Sequence, residues 1–414
     1  MSSLYNILIN LFNGILPVIG MLSPKLKLFV TGRRSVFETL KQHIKAEDQV
    51  IWFHCASLGE YEQGVPVIQE LKKKYPNYKL LVTFFSPSGY EAKKNSNLVD
   101  VIVYLPIDTK SNAKRFLQIV QPDLAVFVKY EFWPNFLNEL KVTHTPTVFI
   151  SASFRKDQVF FKWYGSFVRK ALDAVAHFFV QDRISLELLE KEGFTNATLS
   201  GDTRFDRVSH QIEMDNYVDF ISEFIDDRLC YVIGSSWAED EEVFVNYINA
   251  APDNICFVIA PHEIKAAKIA ALQQKIEKKT VRYSEKDTIS VKDHQVFLLD
   301  TVGYLSRAYS YGDIAYVGGA MGTSGLHNIL EPATFGIPIV IGKNFEKFRE
   351  AKQLQKLAGL YSIANAEEFT HISNKLVTNK KFREKTGMIA GHFINSNTGA
   401  TGIIMDYLDT LITK

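Results

Sequence analysis

Three short stretches of this 414-residue chain combine chemically capable side chains with backbone that lets a ligand come close. The first reads HCASLGEYEQG from His54 to Gly64, with Ser57, Gly59 and Glu60 directly after the apolar run Val50-Ile51-Trp52-Phe53. A small-residue loop admits a ligand, and the helix that follows, expected from about Tyr61 or Glu62, attracts anions at its start. The same residues spell S-x-x-E, so Ser57 and Glu60 could instead close a capping box. The second stretch, VGGAMGTSGLHNILEP, carries glycines at 318, 319, 322 and 325 ahead of a short helix. Such a turn suits a phosphate, because its amides approach the anion and the helix dipole faces it. Spacing allows His327, Asn328 and Glu331 one helical face. Glu331 there could accept hydrogen bonds from both hydroxyls of a ribose, or form an ordinary salt bridge. In the third stretch, GSSWAEDEE, free amides and the Ser235 and Ser236 hydroxyls could hold a donor phosphate; Ser236 and Glu239 also spell a capping box.

Strands followed by helices must position these groups. Strand-like runs fall at 50–55, 79–85, 99–105, 124–128, 147–151 and 177–181, with helical patterns such as 64–74 and 111–120 between them. After polar, weakly periodic sequence at 206–227 the alternation restarts at 230–234, 255–260, 280–283, 295–299, 314–317 and 337–341. This pattern predicts an α/β protein of two doubly wound, Rossmann-like domains facing across a cleft, with ligands beyond the carboxyl ends of the strands.

Composition narrows the partners. With 46% hydrophobic and 22% charged residues the chain can bury two cores, and 47 basic against 46 acidic side chains give no polyanion signature, so no nucleic acid is expected. Cys55, Cys230 and Cys256 are widely spaced within or beside apolar runs, which reads as reduced thiols; Cys55 beside His54 would face the opposite side of a strand. Residues 4–22 carry no charge and are followed by Lys25, Lys27, Arg33 and Arg34. Charge before the run and a cleavage site after it are both missing, which argues against a signal peptide. Asn6, Asn10, Asn13 and Pro17 weaken a full span. The run reads as a hydrophobic anchor with its basic flank on anionic lipid, the alternative being a helix docked on the protein's own core.

Six motifs in order resemble the Kdo transferases, the 3-deoxy-D-manno-oct-2-ulosonic acid transferases of lipopolysaccharide assembly: FHCASLGE, KYEFWPN from Lys129, GDTRFD from Gly201, GSSWAEDEE, DTVGYL from Asp300, and VGGAMGTSGLHNILEP. The resemblance implies a GT-B glycosyltransferase. Residues 1–24 would form the membrane anchor, 25–206 the acceptor-binding domain and 207–414 the CMP-sugar-binding domain, the terminal helix packing back on the first. It implies inverting transfer of Kdo from CMP-Kdo to a lipid A precursor (lipid IVA) at the cytoplasmic face of the inner membrane. Glu60 matches the family's general base and Glu131 a second acid near the acceptor. Gly59, Arg204 (where lysine is usual), Gly303 and Gly325 fall in the matching motifs, and His327, Asn328 and Glu331 in the nucleotide-contacting loop. Pro261 is followed by His262 where the family writes arginine, and Ser151 and Ser153 replace Asn and Arg. A CMP leaving group carries less charge than a nucleoside diphosphate, and no D-x-D or His cluster of ligand spacing appears, so no metal cofactor is expected. The rival readings are a GT-B enzyme using a nucleoside diphosphate sugar, and a non-catalytic nucleotide-sugar or lipid binder.

Overall fold

A computed structural model describes residues 2–412. The chain forms two compact units, one up to Arg207 together with the residues from Thr398 on, the other Val208–Asn397. The first contains β1 (Val50–Cys55), β2 (Lys79–Phe84), β3 (Val101–Tyr104), β4 (Leu124–Val128), β5 (Thr147–Ala152), β6 (His177–Val180) and β7 (Ala197–Leu199). They make one parallel sheet in the order β3-β2-β1-β4-β5-β6-β7. The second contains β8 (Leu229–Ser236), β9 (Ile255–Pro261), β10 (Thr280–Arg282), β11 (Val296–Leu298), β12 (Ile314–Val317), β13 (Ile339–Gly342) and β14 (Leu360–Ile363), in the parallel order β10-β11-β9-β8-β12-β13-β14.

Central strands of such sheets are covered on both faces, which is why they read as continuous apolar runs. In β1, Trp52 packs with Phe116, Phe127 and Phe136 on one face, while Ile51, Phe53 and Cys55 join Val82, Val126 and Ile150 on the other. The chain reverses its direction of winding between β1 and β4 in the first sheet, and between β8 and β12 in the second. The carboxyl ends at those two points are the ligand positions of a doubly wound sheet. Glu60 and Glu131 follow β1 and β4; Ser235 and Ser236 end β8, and the glycine-rich turn follows β12.

Several sequence expectations are corrected. The helix after β1 begins at Leu58, so Gly59 and Glu60 lie in its first turn and not in a loop. Residues 206–227 are largely helical, and Asp219–Ile225 buries Ile221 and Phe224. The short strands β7 and β14 had no sequence counterpart.

The amino-terminal helix α1 (Ser2–Ile19) is long and apolar enough to cross a membrane by length and composition. Tyr5, Ile9 and Leu16 turn toward the unit's body, and Leu16 packs with Val30 and Ile107. Leu4, Ile7, Leu8, Leu11, Phe12, Ile15 and Val18 are exposed. Next come α2 (Pro24–Thr31), with Ser23 accepting from the Leu26 amide as its cap, and α3 (Val36–His43). The last helix, Ala400–Ile412, returns to the first unit. Its Ile404 and Leu408 are buried with Val67, Ile68 and Leu71 of α4 (Leu58–Lys74), and Tyr75 donates to Asp409 over 2.7 Å.

Candidate active site

Glu60 is almost fully buried in the first turn of α4, where the positive end of the helix dipole favours a carboxylate. The Ser57 hydroxyl donates to one carboxylate oxygen, and Lys129 Nζ lies 3.9 Å from the other. Ser57 therefore makes no bond to the helix amides, and the capping box is not formed. Lys129, directly after β4, holds φ 74°, a left-handed conformation that is costly for a residue with a side chain. Strain of this kind persists only where surrounding contacts enforce it.

Beside this pair, His54 is fully buried and its proton position follows from its partners. Trp133 Nε1 donates to His54 Nε2 over 2.9 Å, so the ring proton is on Nδ1, which donates to Thr83 Oγ1 over 2.9 Å. Thr83 Oγ1 also accepts from Trp52 Nε1 at 2.9 Å. Glu131 Oε2 lies 3.8 Å from His54 Nε2. The result is a set of polar side chains on β1, β2 and the loop after β4 in which Trp52, His54, Thr83 and Trp133 are joined by hydrogen bonds. Burial first, then the negative charges of Glu60 and Glu131, drive the Cys55 thiol well above its ordinary value. A thiol so held supplies no thiolate nucleophile. Arg204 folds back on Asp202 through Nε at 2.9 Å and Nη2 at 2.8 Å.

In the second unit the organising group is Asp240, which the sequence reading passed over. Fully buried, it accepts from the Trp237 amide at 2.9 Å, Tyr316 Oη at 2.7 Å and the Gly319 amide at 2.9 Å. One carboxylate thus starts the helix Ala238–Ala250 and pins the glycine-rich turn after β12. This replaces the expected Ser236 and Glu239 box. The Ser236 hydroxyl is left buried with no hydrogen-bond partner among the described residues, and it lines a small cavity with Pro261, Glu263 and Lys268. Ser235 sits at φ 54°, where the register between β8 and β9 slips. Two glycines are required by close approach: a Cβ at Gly318 would stand 2.4 Å from the Ser235 carbonyl, and one at Gly319, at φ 93°, would stand 2.1 Å from that of Gly325.

His327 and Asn328 do not share a helical face with Glu331, because the helix starts only at Leu330. Asn328 still reaches Glu331, donating over 3.0 Å, and Ser306, three residues after Gly303, donates to the other carboxylate oxygen over 2.9 Å. His327 turns the opposite way. Its Nε2 accepts from Trp237 Nε1 at 3.1 Å, and the His262 ring lies 4.4 Å from the rings of both Trp237 and His327. Burial, then the neighbouring His262, lower the His327 pKa from 6.5 to about 4. Between those values the unfolded chain binds the extra proton, so this contribution to stability is complete above pH 6.5 and is lost as pH falls through about 4. His327→Asn should flatten that acid limb in thermal melts recorded against pH; an identical limb in the variant would contradict the assignment.

The motifs and their geometry can now be set beside known proteins. Residues 32–207 match the family model described as 3-deoxy-D-manno-octulosonic-acid transferase (kdotransferase). The 3-deoxy-D-manno-octulosonic acid transferase of Aquifex aeolicus is 27% identical over 373 residues, covering 86% of this chain and 97% of that protein. This chain is a relative of the Kdo transferases. It is also 26% identical over 377 residues to a bifunctional glycosyltransferase/methyltransferase of Fusobacterium nucleatum, covering 87% of this chain and 57% of that longer protein. By fold it is similar to a UDP-GlcNAc 2-epimerase of Neisseria meningitidis solved with UDP-GlcNAc: TM-score 0.63, 16% identity, 88% of this chain and 100% of that one. The architecture of this Kdo-transferase relative is therefore the two-domain α/β arrangement of GT-B type, plus one apolar amino-terminal helix. His262 stacks on Trp237 and lies tilted against the His327 ring of the glycine-rich loop.

Proposed function

We propose that the protein transfers Kdo, with inversion, from CMP-Kdo to a lipid A precursor of the lipid IVA type in lipopolysaccharide core biosynthesis. The observation that carries this reading is the setting of Glu60, a nearly buried carboxylate at a strand's carboxyl end, held by Ser57 and flanked by an ammonium group. Glu60 takes the proton of the acceptor hydroxyl as that oxygen attacks the anomeric carbon, and a single displacement inverts the centre. Glu131 and Arg204 contact substrate on this side, and Lys129 offsets the charge beside the base. CMP leaves with the electrons of the broken glycosidic bond.

Its phosphate fits the amides at the start of Ala238–Ala250 together with Ser235 and Ser236, the latter having a hydroxyl to give. Glu331, oriented by Ser306 and Asn328, accepts from the ribose hydroxyls, with His262, His327, Gly303 and Gly325 completing the nucleotide site. A CMP leaving group is stabilised by such amides and needs no metal ion. The exposed apolar face of α1, with Lys25, Lys27 and Arg34 beyond it, holds the protein on the anionic cytoplasmic surface of the inner membrane, where the lipid acceptor resides. Incubation with CMP-Kdo and a tetraacylated lipid A precursor, followed by mass spectrometry of the lipid, should show added Kdo and count the units. An unchanged lipid with intact CMP-Kdo would reject the reading, and transfer from a nucleoside diphosphate sugar alone would replace it.

A further inference from the structure

The loop at 129–133, which carries Lys129, Glu131 and Trp133, is connected to the amino-terminal segment through Asp108 and Phe85. After this loop comes the helix Pro134–Val142, whose preceding residue, Trp133, supplies no side-chain cap. That task falls to Asp108 of another segment. Its carboxylate accepts from the Asn135 amide at 3.1 Å and the Phe136 amide at 3.0 Å, and its carbonyl accepts from Asn135 Nδ2 at 2.5 Å. The remaining donor to that carboxylate is the Tyr5 hydroxyl of α1, at 2.6 Å. A carboxylate that is nine-tenths buried needs every donor it can gather, so Tyr5 is part of the cap.

A second grip comes from Arg33, just beyond α2. The sequence reading assigned it to a basic surface, but its guanidinium is largely buried and donates to three backbone carbonyls. These are Leu105 at 3.0 Å, Phe85 at 2.6 Å and Phe29 at 2.8 Å. Phe85 and Leu105 directly follow β2 and β3, so this one side chain ties two strand ends to α2. Its charge lies 3.7 Å from the Phe29 ring centre and 4.9 Å from that of Phe85. The Phe85 ring in turn lies 4.7 Å from that of Trp133, whose indole N–H fixes His54. The first route ends on the helix that directly follows the loop, and the second on Trp133 within it.

We propose that Tyr5 and Arg33 are positioning residues for the loop at 129–133, so that the amino-terminal helices hold the acceptor side of the site in shape as well as resting on lipid. The inference builds on the function proposed above but makes a demand of its own. An anchor acts only when acceptor and enzyme must meet on a bilayer; a positioning device acts on every acceptor, dispersed or not. Tyr5→Phe in the full chain separates the two, because it deletes one hydroxyl and leaves the apolar face intact.

The expected result with detergent-dispersed acceptor is a transfer rate lowered about tenfold, with CMP affinity and binding to phosphatidylethanolamine/phosphatidylglycerol vesicles unchanged. The Trp133 indole N–H resonance, assigned with a Trp133→Phe variant, should move in the same protein. A wild-type Trp133 resonance overturns the proposal whatever the enzyme's substrate proves to be, and a moved resonance with a wild-type transfer rate overturns the positioning role. The resonance is read without any reaction, so failure of the Kdo reading leaves that arm of the test standing.

Discussion

Glu60→Gln should lower single-turnover Kdo transfer by about 10²- to 10⁴-fold, the usual contribution of general base catalysis, while leaving the melting temperature and CMP affinity near wild type. The amide keeps the length and shape of the carboxylate, and its oxygen can still accept from the Ser57 hydroxyl. It lacks a lone pair basic enough to take the acceptor's proton. Stability should change little, since Glu60 makes no reciprocal bond with the helix backbone and the loss is confined to a favourable dipole contact and the distant Lys129. A near-normal rate in a stable Glu60→Gln protein would remove the base assignment. A rate loss accompanied by a large fall in melting temperature would point to misfolding of the first turn of α4 instead.

The second large effect is expected at Asp240. Replacement by alanine takes the acceptor from the Trp237 amide, the Gly319 amide and Tyr316 Oη in the second unit. A buried donor left without its acceptor typically costs about 1–3 kcal/mol, and urea unfolding should register a loss of at least that order. Binding of CMP should disappear with it, because the same carboxylate starts the helix proposed to receive the phosphate and holds the glycine-rich turn. Asp240→Asn should rescue much of the loss, since its oxygen can still accept from the Trp237 and Gly319 amides while its NH₂ donates to Tyr316 Oη, a hydroxyl that can turn to accept. Wild-type CMP affinity in a folded Asp240→Ala protein would show that the two turns keep their shape without this tie.

How much of this was legible beforehand depended on the range of the interaction. Strands β1, β4, β8 and β12 announce themselves as apolar runs because both faces of each are covered, and the turns after β1 and β12 are rich in small residues. Short edge strands such as Ala197–Leu199 have no such signature. The start of α4 lies earlier than expected because Leu58-Gly59-Glu60 shows no apolar periodicity, and the polar stretch ahead of β8 hid Asp219–Ile225, a helix too short at 7 residues to show a period. Asp240 was masked by the acidic run around it: among Glu239, Asp240, Glu241 and Glu242, only the helix register decides which one faces inward. His54 is a different case. Its partner Trp133 is 79 residues away, and no local pattern connects the two. Arg33 misled because a cationic cluster ordinarily reads as a wet surface, whereas backbone carbonyls and aromatic rings can accommodate one guanidinium in the interior.

The return of Ala400–Ile412 to the first unit bears on how the protein is made. Ile404 and Leu408 complete a core whose other members, on β1 and α4, have left the ribosome long before. All of Val208–Asn397 must be synthesised in between, a delay of roughly ten to forty seconds at ~5–20 residues per second. During that interval Val67, Ile68 and Leu71 of α4 lack the cover that Ile404 and Leu408 give them in the folded chain, and transiently exposed apolar surface of this kind favours aggregation. Val208–Asn397 needs no such late arrival to close its own sheet, so the unit begun second is the one able to finish first.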